Sequence, residues 1–374
     1  MKIRLPIALS LFFSSSVLSV SAIEPDAQGR LPLEVPAGGG QKFEIPSGRN
    51  ITTAYFAGDP ARTPIVVEFN EDASKVMLDV PKVDGDGGEV LLELAEGTTQ
   101  FSDGRIVLSA LDAKVDGTKA ALESHPGNHR IGFWTAIDDV VSWNYKATRP
   151  GMYQVELTYS LAGSAANNAE VRVGDEKCFA QLEPTGSWYR YSNVAAGRVY
   201  IAKPGQVAIS VRGAELKGGA LMNLKAVTLR PSIEGAPAVQ LEDGTMELDA
   251  SSATVHSTLM QYERKPQKLC LGYWANPKDW ASWDFAVSKP GKFKVELTQG
   301  CGKGHGGSDV EVMVAGKTLE FTVEDTGGFQ KWKVRELGEV SFDEVGNYTL
   351  EVRPKNKKGV AVMDVRRIRL VPAE

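Results

Sequence analysis

The chain contains one Trp-rich segment twice, and this repetition constrains its fold more than any other feature. The segment GFWTAIDDVVSWNY begins at Gly132, and GYWANPKDWASWDF begins at Gly272, 140 positions later. The similarity extends over about 130 residues and includes the sequence VELT at 155–158 and again at 295–298. Internal similarity at a fixed spacing indicates duplicated structural units. The sequence therefore predicts two copies of one domain.

Each copy has the pattern of an all-β domain. The segments MYQVELTYS and KFKVELTQG alternate apolar and polar residues, as a strand with one solvent-facing side does. Eight or so short strands separated by glycine turns favour a β-sandwich of the jelly-roll kind. We predict jelly-roll modules at 103–232 and 242–374, joined by a linker at 233–241. Trp143 and Trp283 lie within alternating segments and are expected to fill the two cores.

The residues ahead of the repeats fall into three predicted parts. Residues 1–22 have a basic start, an apolar stretch and small residues at the end, which is typical of a secretory signal peptide. Residues 23–40 are rich in proline and glycine, so we expect loose order. Residues 41–102 contain four strand-like segments and predict a small β-domain. The signal peptide predicts a secreted or periplasmic protein that is not inserted in a membrane.

Charge and motif content exclude several function classes. The formal net charge is −5, which argues against binding to the phosphate backbone of nucleic acids. No HExxH, GxSxG or P-loop pattern occurs. We therefore expect that the chain is not an enzyme.

The three cysteines are Cys178, Cys270 and Cys301. An odd number in an exported chain leaves at least one thiol unpaired. Two arrangements are open: Cys270 and Cys301 form a disulfide, or both are free and buried. No CxxC pair is present, so a structural zinc site is not expected.

Each repeat carries two adjacent aromatic residues, Phe133 with Trp134 and Tyr273 with Trp274. Adjacent residues of a strand point to opposite faces, so one ring of each pair should enter the core and the other should face outward. An exposed aromatic ring beside polar loop residues suits a sugar site, because one face of a pyranose ring is apolar. The sequence thus indicates a candidate glycan contact in each copy.

Three segments of the second repeat carry a resemblance to a known type of module. GYWANPKDWASWDFAVSKPGKFKVELTQGC, DTGGFQKWKVRELGEV and GVAVMDVRRIRL resemble a module appended to secreted α-L-fucosidases and to sulfatases of polysaccharide-degrading bacteria. That module is similar to carbohydrate-binding modules of families 6 and 35, which implies a galactose-binding-like jelly roll. In family 6, two rings clamp a sugar and an Asn hydrogen-bonds it. The matching positions are Phe133, Trp188 and Asn223 in the first repeat, and Tyr273, Phe329 and Asp364 in the second.

Two departures from the family 6 pattern affect what is expected. Asp364 replaces the Asn and lacks its donor, whereas Trp188 and Asn223 are retained, so the first site is expected to bind better alone. The family's structural calcium is bound by acids near a Glu-Ala-Glu element, but the chain reads SAL at 109–111 and DAS at 249–251. We therefore expect no cofactor and doubt a structural calcium ion there.

The segment ahead of the repeats resembles the small C-terminal β-sandwich of family 29 α-L-fucosidases, without the catalytic barrel. Since the family's catalytic residues lie in that barrel, none is carried over. The expected function is that of an exported, non-catalytic carbohydrate-binding protein, whose partners are a glycan or polysaccharide and a separate secreted glycosidase. The alternatives are an envelope protein that binds other proteins, or the non-catalytic part of a fucosidase-like glycosidase.

Overall fold

The computed structural model describes residues 17–19, 26, 30–38, 41–46, 51–59, 62–69, 75–83, 85, 87–94, 97–125 and 128–373. Most of the predicted signal peptide lies outside these residues. Over the described ranges the chain is all-β, as predicted, with only two short 3-10 turns at Ala110–Asp112 and Ala250–Ser252. The described part contains no helix of the length and apolarity that crossing a membrane requires.

The N-terminal domain contains seven strands and confirms the four strand-like segments read from the sequence. The prediction of loose order for residues 23–40 is wrong for Arg30–Val35, which forms a strand. Leu31, Leu33 and Val35 alternate with polar residues and are buried in the domain core, so this segment has a reason to be ordered. The strands are β1 Val17–Ser19, β2 Arg30–Val35, β3 Gln41–Pro46, β4 Ile51–Phe56, β5 Val66–Phe69, β6 Lys75–Val80 and β7 Gly88–Leu94.

The first sandwich contains strands β8 to β19. One sheet has the order β10-β13-β18-β15-β16, and β17, β14, β19, β12 and β11 form the other, in which β9 also pairs with β19 and β8 pairs with β9. The strands are β8 Thr99–Gln100, β9 Ile106–Ser109, β10 Lys114–Asp116, β11 Ala121–Glu123, β12 Arg130–Gly132, β13 Val140–Ala147, β14 Gly151–Ser160, β15 Asn167–Val173, β16 Glu176–Leu182, β17 Arg190–Ile201, β18 Gly205–Glu215 and β19 Asn223–Pro231.

The second sandwich repeats this arrangement with strands β20 to β30. Its sheets have the orders β22-β23-β30-β25-β28 and β21-β24-β29-β26-β27, and β20 pairs with β30. The strands are β20 Met246–Asp249, β21 Thr254–His256, β22 Gln261–Glu263, β23 Cys270–Gly272, β24 Trp280–Val287, β25 Gly291–Cys301, β26 Asp309–Val314, β27 Lys317–Thr322, β28 Gly328–Phe342, β29 Gly346–Pro354 and β30 Asp364–Pro372. The predicted tandem sandwiches are confirmed.

The two cores contain the tryptophans that the repeat pattern assigned to them. Trp143 is 4% exposed and Trp283 is 0% exposed. Each indole N–H donates at 2.8 Å to a backbone carbonyl next to a 3-10 turn, that of Ser109 in the first sandwich and that of Asp249 in the second. The rings are therefore buried at equivalent places with their polar atom satisfied.

The structure distinguishes between the two arrangements of the cysteines that the sequence left open. Cys178, Cys270 and Cys301 are all free and buried. Burial raises the pKa of Cys178 and of Cys301 to about 11. The thiols therefore stay protonated near neutral pH.

The N-terminal domain is continuous with the first sandwich through one strand pair. Strand β5 pairs antiparallel with β17, with Val67 opposite Tyr191 and Glu68 opposite Arg190, so one eleven-stranded sheet runs through both units. Asn193 Nδ2 donates at 2.9 Å to Thr53 Oγ1 across the contact. This shared sheet was not predicted from the sequence.

The two sandwiches contact each other closely at one backbone position. Gly104 has φ +84°, and a Cβ there would lie 2.2 Å from the carbonyl oxygen of Ser257. Arg149 Nε donates to the same carbonyl at 3.1 Å, and Thr148 Oγ1 donates to the carbonyl of Thr258 at 2.7 Å. Backbone proximity of this kind is possible only with glycine.

Candidate functional site

One aromatic side chain projects into solvent at the same loop of each sandwich. Phe133 is 66% exposed and Tyr273 is 59% exposed. Both follow a short strand and have left-handed backbone, with φ +53° and +60°. The following residue of each pair, Trp134 or Trp274, is completely buried. The division of each pair between core and solvent was predicted correctly, but its cause is the turn after β12 or β23 and not strand alternation.

The buried tryptophans tie these turns to the strands that carry the polar site residues. The carbonyl of Trp134 accepts from the N–H of Leu221 at 2.7 Å, and that of Trp274 accepts from the N–H of Val362 at 2.8 Å. Leu221 and Val362 lie two residues before Asn223 and Asp364, which begin β19 and β30. Each exposed ring is thereby held close to a buried polar side chain.

In the second sandwich, the polar floor beside Tyr273 consists of Asp364, Glu263 and Cys270. The Sγ atom of Cys270 lies 3.7 Å from Asp364 Oδ2 and 4.0 Å from Glu263 Oε1. Gln330 Nε2 donates to Asp364 Oδ2 at 3.2 Å, and Glu263 forms an ion pair with Lys268. Ligand atoms of the three floor residues lie within 4.8 Å of one another.

The position of this floor requires a glycine immediately before the exposed tyrosine. A Cβ on Gly272 would lie 2.4 Å from Glu263 Oε1 and 3.4 Å from Asp364 Oδ1. Burial raises the pKa of Asp364 to about 7, and the neighbouring charge of Glu263 acts in the same direction. Near neutral pH this carboxyl group therefore exists both as a donor and as an acceptor.

In the first sandwich, the equivalent floor has a different charge arrangement. Arg130 donates to both carboxylate oxygens of Glu123, with Nε–Oε1 at 3.0 Å and Nη2–Oε2 at 2.7 Å. Asn223 Nδ2 donates at 3.1 Å to the carbonyl of Trp188. A Cβ on Gly132 would lie 1.9 Å from Glu123 Oε1 and 3.0 Å from Asn223 Oδ1. The first floor thus consists of a neutralised ion pair, Arg130 and Glu123, beside an Asn223 amide that already uses one of its two N–H groups.

The remaining two predicted site residues are partly engaged in packing. Trp188 is half-buried against the core of the first sandwich, and its carbonyl also accepts from Ser160 Oγ at 2.7 Å. Phe329 lies at the start of β28, where its ring is parallel to that of His305 with centroids 6.1 Å apart. A Cβ on Gly302 would lie 2.7 Å from the Phe329 ring, so one side of that ring is covered.

Sequence reasoning missed five of the polar residues at these floors. Glu123 and Glu263 were visible as matching positions of the repeat, and the glycines that pack against them also match. The sequence did not show that each glutamate lies against the glycine nine residues later. The two residues belong to an antiparallel strand pair, which brings them together. The missed residues are Glu123, Arg130, Glu263, Cys270 and Gln330.

Each sandwich has an equivalent sheet face, and the two sandwiches differ in how much of this face is covered. In the first, Tyr191 and Lys225 on this face are buried beside the N-terminal domain. The equivalent positions in the second are Trp332 and Arg366, which line an open cavity of about 610 Å³ together with the exposed Val334. Within the described part of the chain, the N-terminal domain therefore covers one copy of the face and leaves the other open.

Comparison with known protein families assigns most of the duplicated region. A family model described as "Domain of unknown function (DUF5077)" matches residues 117–233 and again residues 260–373. The chain belongs to this family. Both DUF5077 copies include their exposed aromatic residue and the polar floor residue that begins the last strand. No curated protein matches the chain.

Solved structures similar to this chain include carbohydrate-binding modules. The family 35 module from Cellvibrio japonicus Abf62 has 20% identity and a TM-score of 0.29, covering 33% of this chain and 91% of its own. A family 35 module from Clostridium thermocellum has 16% identity and a TM-score of 0.30, covering 33% and 96%. A Paenibacillus xanthan lyase has 14% identity and a TM-score of 0.33, covering 92% of this chain and 34% of the lyase. Likenesses of this size carry no functional information.

Proposed function

We propose that the chain is an exported, non-catalytic carbohydrate-binding protein with one glycan site at the loop end of each sandwich. The observation that carries the proposal is the matched pair of solvent-exposed rings, Phe133 and Tyr273, on left-handed backbone beside a polar floor. A residue other than glycine in this conformation costs on the order of 1–3 kcal/mol and occurs preferentially at ligand sites.

Packing alone gives no account of these two rings. An aromatic side chain that fills a core is buried, whereas these two are mostly in water, and the strained turn that holds them out is kept in both copies. A pyranose ring offers an apolar C–H face to such a side chain, and its hydroxyl groups need donors and acceptors beside the ring. Asp364 of the floor and its neighbour Gln330 supply both next to Tyr273.

The contacts favour the second site over the first, which reverses the order expected from the sequence. Asn223 uses an amide N–H on the carbonyl of Trp188, and the Trp188 ring is half-buried against the core. Asp364 instead has a pKa of about 7, and its neighbour Gln330 is exposed. One shallow site should bind in the micromolar to millimolar range, and two sites on one chain should gain avidity on a polymer.

The test is retardation in native gels that contain bacterial or algal polysaccharides. We expect Tyr273→Ala to reduce retardation more than Phe133→Ala does, and the double variant to abolish it. Val345→Ala removes an equally exposed apolar side chain from the β28–β29 turn and serves as the matched control. Retardation of a folded double variant equal to that of the parent would exclude these two sites.

A second candidate function, docking of another protein, is favoured by the open sheet face of the second sandwich. The same face of the first sandwich binds a β-domain in cis, and the face around Trp332 and Val334 has no such cover among the described residues. If Val334→Asp abolishes recovery of a partner from the native secretome while leaving gel retardation unchanged, protein docking is supported.

The proposal also states that the chain does not hydrolyse glycosides. Glycosidases also have two carboxyl groups close together, one of them with a raised pKa. Glu263 and Asp364 form such a pair, so hydrolysis of glycosides has to be tested directly. We expect no release of nitrophenol from aryl fucosides or other aryl glycosides. Turnover that Glu263→Gln or Asp364→Asn eliminates would establish an enzyme instead.

A further inference from the structure

A cavity of about 550 Å³ lies where the N-terminal domain meets both sandwiches. Tyr55 and Arg62 come from the N-terminal domain, Arg105 and Arg230 from the first sandwich, and Trp280 from the second. Its volume is within the range of about 300–1,000 Å³ typical of small-molecule sites, which often lie between domains. Among the described residues, none of those assigned to the two glycan sites lines it.

One wall of the cavity is built around the buried carboxylate of Glu93. The hydroxyl of Tyr55 donates to Glu93 Oε1 at 2.7 Å. Arg62 Nη1 lies 3.7 Å from Oε1, Arg230 Nη2 lies 3.8 Å from Oε2, and Arg105 forms an ion pair with the same group. Three guanidinium groups from two domains thus converge on one carboxylate.

Two further acids belong to this wall. Asp103 Oδ2 lies 3.6 Å from Arg62 Nη1 and 3.7 Å from Arg105 Nη2, and Glu156 Oε2 lies 2.6 Å from Arg230 Nε. The formal charges of the three arginines and the three acids balance. Any selectivity for an anion must therefore come from hydrogen-bond donors that the acids leave unused.

Such donors are present on this wall. Arg62 and Arg230 are 26% and 18% exposed, and Arg62 Nη1 lies 3.7 Å from Glu93 Oε1 and 3.6 Å from Asp103 Oδ2, beyond hydrogen-bond length. Each guanidinium carries five donors in a fixed plane, so these two side chains can offer N–H groups to a ligand in the cavity. Burial lowers the pKa of Arg105, and the nearby charges of Arg230 and Arg62 act in the same direction. An additional anionic group would offset the repulsion among these three cations.

The opposite wall comes from the second sandwich and is suited to hydroxyl groups. Thr349 Oγ1 donates to Asp284 Oδ1 at 2.6 Å, and Ser282 Oγ lies 2.9 Å from His256 Nε2. The Trp280 ring is not available for stacking, because His256 covers one side and Arg353 lies 3.5 Å from its centroid. This wall therefore provides hydrogen bonds and no apolar platform.

We propose that this cavity binds a small saccharide that carries one carboxylate or sulfate group. The anionic group lies against Arg62, Arg105 and Arg230, and the sugar hydroxyls face Ser282 and Thr349. Because the lining comes from all three units, the ligand stabilises their mutual arrangement as well as the folded state. This site is separate from the two exposed rings and does not depend on the function proposed for them.

The experiment uses the full chain and three monosaccharide probes that share the galactose ring: galacturonate, galactose 6-sulfate and galactose. Calorimetry and thermal unfolding should show binding and a raised melting temperature with at least one anionic sugar and not with galactose. Arg62→Gln and Arg230→Gln should each weaken that binding about ten-fold or more. Arg172→Gln removes a half-exposed arginine of the first sandwich and should change nothing.

Three results would overturn the proposal. They are equal binding of galactose and the anionic sugars, unchanged affinity in both folded variants, and no binding of any probe up to about 10 mM. Whether galacturonate or galactose 6-sulfate binds more tightly identifies the anionic group. Arg105 is not substituted, because its loss would leave Glu93 buried without its closest partner and could unfold the chain.

Discussion

Cys270 occupies in the second sandwich the position that Arg130 occupies in the first. Arg130 neutralises Glu123 through two hydrogen bonds, whereas Cys270 places an uncharged thiol 3.7 Å from Asp364 and 4.0 Å from Glu263. The second floor therefore has two carboxyl groups and no internal cation, and Lys268 pairs with Glu263 from the side. Burial raises the pKa of Asp364, and the charge of Glu263, which no cation of the floor neutralises, raises it further.

The first prediction is that Asp364 makes stability fall as the pH rises from about 4 to about 7. Its folded-state pKa of about 7 lies above the ordinary value of 3.8, so in this window the folded state keeps a proton that the unfolded state has lost. The difference corresponds to at most about 4 kcal/mol. Urea unfolding of the parent and of Asp364→Asn should diverge over this window, with the flatter profile in the variant.

The control for this prediction is Asp343→Asn, which alters an exposed acid of the same sandwich. Its profile should follow that of the parent. If Asp364→Asn also follows the parent at every pH, Asp364 does not titrate near neutrality, and its proposed double role as donor and acceptor fails.

The second prediction concerns the three thiols. All are buried, and burial raises the pKa of each, so little thiolate is present at pH 8. Ellman's reagent should react slowly with the native chain and should titrate three thiols after denaturation. A thiol that reacts fast in the native chain would contradict the free and buried arrangement. A count of fewer than three thiols in the unreduced denatured chain would contradict it as well.

The third prediction compares equivalent threonines of the two sandwiches, so that the second sandwich serves as the control for the first. Thr158 Oγ1 lies 3.2 Å from the carbonyl oxygen of Thr52 in the N-terminal domain and 2.8 Å from Asn193 Oδ1, and its one hydroxyl hydrogen is shared between these two acceptors. Thr158→Val should weaken docking of the N-terminal domain by about 1–2 kcal/mol, because both acceptors lose this donor. The equivalent Thr298→Val lies on the open face and should cost less.

Docking of the N-terminal domain is measurable by hydrogen exchange in β5 and β17. Protection of these strands should fall in Thr158→Val and stay at the parent level in Thr298→Val. Equal losses in both variants would mean that the hydroxyl acts within the sandwich and not at the domain contact.

The sequence predicted the fold well because the fold depends on local patterns that occur twice. Alternating segments and glycine turns located most strands, and the two copies supported each other. The error at Arg30–Val35 arose because Pro32 and Pro36 obscured the alternation of Leu31, Leu33 and Val35. Their burial depends on pairing with β7, about sixty residues later, which no local pattern reveals.

The site was predictable only in part, for a related reason. The adjacent aromatic pairs predicted that Phe133 and Tyr273 are exposed, although the cause is the turn that holds them. The floor is assembled by strand pairing between distant segments. Cys270 and Gln330 meet Asp364 only in the folded chain. The three-domain cavity was likewise hidden, since its arginines are scattered among segments with no shared motif.

The last prediction concerns the contact between the two sandwiches. Gly104 lies against the carbonyl of Ser257, so the methyl group of Gly104→Ala, 2.2 Å from that oxygen, must displace one sandwich from the other. Gly186 has the same backbone conformation, φ +85°, and no described residue lies within 4 Å of the added carbon, so Gly186→Ala carries the conformational strain alone. The unfolding free energy should fall by about 1–3 kcal/mol more in Gly104→Ala than in the control, and calorimetry should show broader unfolding because the sandwiches are less coupled. Limited proteolysis should also cut the 233–241 linker faster in Gly104→Ala, and equal behaviour of the two variants would show that the sandwiches do not rely on this contact.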